Sequence, residues 1–182
     1  MKQKCLVLVS LAAGLLLGAP TAGAAATVSD ADLIAKVRHE LAMYPWYTIF
    51  DDVNFRVLNG QVELNGSVSQ PFKKTDMERL VRGIPGVAGV TDDLQVLPIS
   101  NFDNRLRLEV ARAIYGDPTF MQYRMMPAPP IHIIVADGHI TLTGVVATDV
   151  QKNVAGMRAA SAGLSLGPVV NNLQVEHPAK KS

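Results

Sequence analysis

The chain has 182 residues, with 17 basic and 16 acidic side chains and 48% hydrophobic residues. So even a balance argues against nucleic acid as a partner, which favours a strongly basic surface. Cys5 is the single cysteine, and it sits near the N-terminus, so disulfides, thiolate catalysis and Cys-based zinc sites are not expected of the mature protein.

Residues 1–24 have the layout of a secretory signal peptide. Lys2 and Lys4 form a positive start, Leu6 to Leu17 is an apolar run, and Ala22-Gly23-Ala24 offers a small-residue cleavage site. The run is too short to span a bilayer comfortably, so cleavage and export are expected. Cys5 follows Lys2-Gln3-Lys4, which lacks the small and apolar residues of a lipoprotein box, so lipid attachment is not expected. Loss of Lys2 and Lys4 leaves the mature chain with a net charge of about −1, because 17 basic side chains become 15 against 16 acidic ones.

The first unit is expected over residues 29–98. Leu33, Val37 and Leu41 repeat on one face of a helix that begins at Asp30, read here as its N-cap. NGQVELNGSV, from Asn59 to Val68, follows a short apolar strand. Asn59-Gly60 is a type I′ turn dipeptide, and its register sets Val57 opposite Val62, Phe55 opposite Leu64 and Arg56 opposite Glu63. Gly66 is expected to end the second strand. Met77, Leu80, Val81 and Ile84 then make a second helical stripe. Pro85-Gly86-Val87 leads into a closing strand, Val90 to Val96.

The pattern recurs over residues 101–177, leaving 178–182 as a tail. Asp103 matches Asp30, and Leu106, Val110 and Ile114 match the first helical face. DGHITLTGVV, from Asp137 to Val146, is the second hairpin, with Gly138 in its turn and Gly144 at its end. Val150, Val154 and Met157 are read as the next stripe, and Val169 to Val175 as the closing strand. The fold class is therefore α+β: two tandem αββαβ units, each a small three-stranded mixed sheet with two helices on one face.

These residues resemble the BON domain, found in osmotically induced periplasmic proteins of bacteria. The likeness rests on NGQVELNGSV with IPGVAGVTDDLQV, and on DGHITLTGVV with GPVVNNLQV. The second copy departs from it at Gly163-Leu-Ser-Leu-Gly167-Pro168, where an irregular closing loop is expected. The resemblance implies a periplasmic, non-enzymatic envelope protein, without cofactor, that associates with phospholipid surfaces and supports the envelope under stress.

No catalytic constellation is legible. His132 and His139 lie toward opposite ends of one hairpin, and all four histidines read as surface residues. Asp51-Asp52 and Asp92-Asp93 would point to opposite faces of a strand, and Asn171-Asn172 replaces the latter pair in the second unit. Ala159 to Gly163 imitates a nucleophile elbow without its strand.

One surface stands out. Opposite Leu106, Val110 and Ile114, the first helix of the second unit carries Leu108, Ala111 and Tyr115 between Arg107 and Arg112. Phe120, Tyr123, Met125 and Met126 could extend this strip. Such a strip suits either an anionic phospholipid surface or packing between the two units. Other envelope proteins are the alternative partners, held by sheet edges or by the Met-rich segment. Trp46 and Tyr47 read as core or hinge residues, and Lys73 and Lys74 as solvated.

Overall fold

The computed structural model describes residues 29–176; the signal-peptide reading, His177 and the tail lie outside them. The first unit runs α1 (Asp30–Ala42), β1 (Asp52–Leu58), β2 (Gln61–Val68), α2 (Pro71–Arg82) and β3 (Gly89–Val96). Its sheet has the order β1-β2-β3. β1 and β2 form the antiparallel hairpin, in the register Val57↔Val62 and Phe55↔Leu64. β3 lies parallel to β2, which requires the crossover that α2 supplies.

The second unit runs α3 (Asn101–Tyr115), a 3-10 turn (Pro118–Phe120), α4 (Met121–Arg124), β4 (Ile131–Ala136), β5 (His139–Val146), α5 (Asp149–Ser161), β6 (Val170–Asn171) and β7 (Gln174–Val175). β6 and β7 both pair parallel to β5 and are two pieces of one broken closing strand. Each unit has its own core. Leu33, Val37, Leu64, Met77, Val81 and Leu94 fill the first, and Val110, Ile114, Ile133, Ile140, Leu142 and Leu173 the second.

The two hairpin turns share one device. Asn59 and Gly60 have φ of 51° and 75°, and Asp137 and Gly138 have 49° and 75°, as a type I′ turn demands. The Asp30 carboxylate accepts from the amides of Asn59 (2.7 Å) and Gly60 (2.9 Å). Asp103 does the same for Asp137 (3.0 Å) and Gly138 (2.8 Å). The N-cap assignment of these aspartates is thereby corrected: Ser29 and Ser100 cap the helices, and the aspartates tie each helix start to its hairpin turn.

Gly60, Gly66, Gly86, Gly138 and Gly144 all have positive φ. Gly66 does not end its strand, because β2 continues to Val68. A Cβ there would stand 2.0 Å from the Asp52 carbonyl oxygen, and one at Gly144 would stand 1.9 Å from that of Pro130. The close approach comes from the neighbouring strand, not from the turn toward the helix.

The stripe expected on α5 is also corrected. Val150 and Met157 are exposed, while Gln151, Ala155 and Ala159 face the core. α5 packs beside α3, and alanines permit that close approach where larger side chains would hold the helices apart.

Candidate functional site

The strip on α3 divides. A two-residue hairpin makes Ala136 and His139 a hydrogen-bonded pair, so Ile131, Ile133 and Val135 aim their backbone groups at the free edge of β4. Tyr115 Oη donates to the Ile131 carbonyl (2.6 Å) and accepts from its amide (3.2 Å). Arg107 Nη2 donates to the Val135 carbonyl (2.7 Å), while its Nη1 donates to Asn104 Oδ1 (2.6 Å). The Ile133 amide donates to the Ile49 carbonyl of the first unit (2.7 Å). Arg107 and Tyr115 are thus buried fasteners of a sheet edge, and Leu108 and Arg112 alone of these four face outward. Burial pushes the Tyr115 phenol well above its ordinary range. Burial also lowers the Arg107 guanidinium, against the opposing pull of Asp103 and Asp51.

Phe120 and Tyr123 turn inward as well. Their rings stack at 6.2 Å, and Tyr123 Oη donates to Gln151 Oε1 (2.8 Å). The Ala147 amide, just past β5, donates to both of those oxygens, at 3.0 and 2.9 Å. Met125 remains 79% exposed. Of the seven candidates, then, Leu108, Arg112 and Met125 are open to a partner, and Arg107, Tyr115, Phe120 and Tyr123 belong to the interior.

The matching place in the first unit holds an ion pair. Lys73 Nζ lies 2.6 Å from Asp51 Oδ2, with side-chain exposures of 5% and 0%. Asp51 also accepts from the Ser69 amide (2.7 Å) and the Thr48 amide (2.8 Å). Burial alone would raise this carboxyl, but hydrogen bonds from Lys73, Ser69 and Thr48 outweigh it and hold it below the usual carboxylate range. Lys73 is therefore not solvated, and Lys74 donates to the Leu94 carbonyl (2.6 Å) at the edge of β3. The sequence did carry a signal for Lys73: it stands four residues before Met77 and eight before Val81, in line with the buried stripe.

Contacts between the units gather around one segment. Tyr47 packs its ring on His132 at 5.6 Å, and Ile49 and Phe50 lie against the second core. His132 is accordingly half-buried, not a free surface histidine. Trp46 departs from the core or hinge reading: it is 61% exposed and meets Phe72, itself 47% exposed, edge to face at 6.4 Å. Met43, one residue beyond the end of α1, is exposed too. Among the described residues, no three His, Asp or Glu side chains gather as a metal site would require.

A three-stranded mixed sheet with helices on one face, built twice in tandem, defines the class of this protein. The chain belongs to the BON-domain family, whose model matches residues 29–98 and again residues 103–177. No curated protein matches the chain. Two solved structures of CdsD, a structural protein of the type III secretion system of Chlamydia trachomatis, show a low similarity. One is 20% identical, covering 80% of this chain and 61% of its own, with a TM-score of 0.31. The other, its C-terminal domain, is 19% identical over 82% of this chain and 67% of its own, also at 0.31. This chain thus spans about three fifths of the first of them.

Proposed function

We infer that the chain is a periplasmic, non-enzymatic accessory protein of the bacterial envelope that binds anionic phospholipid surfaces reversibly, without a cofactor, and supports the envelope under stress. BON domains are associated with phospholipid membranes in envelope proteins, and the observation that carries the reading here is the exposed Trp46–Phe72 pair, with Met43, three residues before Trp46 in the chain, exposed as well. Aromatic side chains left in water gain by moving to headgroup depth, where an indole has both apolar surroundings and a hydrogen-bond partner. Leu108 and Met125 offer further apolar contact, and Arg112 a cation for lipid phosphate. The mature chain is close to neutral, so attraction to anionic lipid is local and weak, which suits reversible association. Flotation with vesicles of phosphatidylcholine and phosphatidylglycerol tests this. Binding at low salt that weakens at high salt supports it, and no flotation at low salt overturns it.

A second reading, as a module that holds other envelope proteins, is favoured by the free edge of β1. Phe55 and Val57 aim their backbone groups outward there, and among the described residues only the neighbouring Val53 amide is covered, by Tyr47 Oη at 3.4 Å. This reading expects the chain to slow aggregation of an unfolded outer-membrane polypeptide, and Phe55→Pro to abolish that effect. Equal protection by the variant would dismiss it.

A further inference from the structure

We propose that the loop joining α5 to β6, with Leu164 and Leu166 at its tip, is a second membrane contact that inserts its leucines into the lipid interface. The proposal rests on the lipid-binding reading and assigns to the second unit a site of its own.

Leu164 is 80% exposed and Leu166 69%. The loop that presents them is tied down, not slack. The Leu166 amide donates to the Gly138 carbonyl (2.9 Å), and the Ser165 amide to the Gly163 carbonyl (3.1 Å). Ser165 Oγ, between the two leucines, donates to the Gly167 carbonyl (2.6 Å) and reaches that of Gly138 at 3.3 Å. Ser165 and the Leu166 amide are thus bound within the loop and to the hairpin turn beneath it, while the two leucine side chains stay outside.

Two glycines let it sit so low. A Cβ at Gly163 would stand 2.5 Å from Glu109 Oε2, and one at Gly138 would stand 2.6 Å from Leu166 Cγ and 3.1 Å from Phe102 Cε1. Leu166 therefore lies across the hairpin turn next to Phe102, which is exposed as well. In the first unit the matching connection buries Ile84 and packs Val87 partly against the core, so the exposed leucines are particular to the second.

The charges favour an apolar occupant over a free anion. Arg105 and Glu109 line the hollow that Phe102 and Leu164 share, and they offset each other. An anion would find little net attraction there, whereas a lipid interface takes up protruding apolar side chains whatever the salt. The site thus adds an apolar, salt-insensitive component to the binding of the whole chain.

The test uses the full mature chain and vesicles of phosphatidylcholine and phosphatidylglycerol at low and high salt. Leu164→Ser with Leu166→Ser is expected to weaken partitioning by roughly tenfold at both salt levels, as removing two apolar anchors should, with unchanged circular dichroism and melting. Leu164→Trp in a Trp46→Phe background is expected to shift its emission to the blue with vesicles and to be quenched by acyl-brominated lipid. If the wild type binds and the double serine variant binds equally well, the loop is not a contact, while the lipid reading stands. If the wild type does not bind, both fall. A variant that keeps full lipid binding but loses self-association would make the loop a protein interface and overturn the proposal.

Discussion

Lys73 Nζ rests 2.6 Å from Asp51 Oδ2 in the interior of the first unit, and the second unit meets the same need without charge. Both units must satisfy the amide that follows the second hairpin strand. Ser69 finds the Asp51 carboxylate; Ala147 finds the oxygens of Tyr123 and Gln151. Gln151 stands where Lys73 does, four residues before the next side chain of its helix that faces the core, Ala155 in place of Met77.

Removing one member of the buried pair leaves the other charged and unpaired. Lys73→Met is expected to destabilise the first unit by about 3–5 kcal/mol. Asp51→Asn with Lys73→Gln, which copies the neutral chemistry of the second unit, should recover most of that loss. Urea unfolding of both variants checks this, and a double variant no better than the single one would contradict it.

The same pair sets an acid limit. Its folded-state carboxyl titrates below the ordinary value, so its contribution is complete above about pH 4 and is lost as pH falls through the folded value. In the second unit the Gln151 amide, which carries no charge, takes the place of that pair. Amide signals of the first unit should therefore broaden or vanish at a higher pH than those of the second in an acid titration followed by NMR. At the other extreme, Tyr47 is pushed up to about 12, chiefly by burial and further by Asp52 and Asp51, while its bond with Val53 opposes the rise. Its contribution is complete below about pH 10 and fades as pH rises toward that value, so Tyr47→Phe should flatten part of the alkaline loss of stability.

Tyr115→Phe keeps the ring and removes both bonds to Ile131. A buried amide and carbonyl left without partners should cost about 1–3 kcal/mol. Hydrogen exchange at the Ile131 amide should accelerate before that of the central strand β5. Unchanged protection at Ile131 would show that the phenol does not fasten this edge.

Asp103 is fully buried, whereas Asp30 is only partly so. Asp103→Ala should accordingly lower stability more than Asp30→Ala, since it strands the buried Gly138 amide. Thermal melts that rank the two in the opposite order would contradict the turn-clamp role.

The duplication was legible because turn chemistry is local. Asn59-Gly60 and Asp137-Gly138 declare their backbone conformation in two residues, and the register follows from them. The helical faces were harder where size outweighs hydrophobicity. On α5, Val150 and Met157 are the more apolar residues, yet Ala155 and Ala159 hold the core because α3 comes close. Tyr115 and Arg107 misled for a related reason. A helical wheel puts them on an outer strip, but long side chains reach past the helix to a strand edge that only the assembled sheet creates. Trp46 erred the other way: sequence alone does not say that its partner, Phe72, is exposed too.

Trp46 is the chain's single tryptophan, so its fluorescence reports on one place. The most direct test of lipid association is the emission of the full mature protein as vesicles of phosphatidylcholine and phosphatidylglycerol are added at low salt. A blue shift with protection from aqueous quenchers, reduced by Phe72→Ser, is the predicted result. An emission maximum and quenching unchanged at saturating lipid would contradict the placing of the Trp46–Phe72 edge in a membrane.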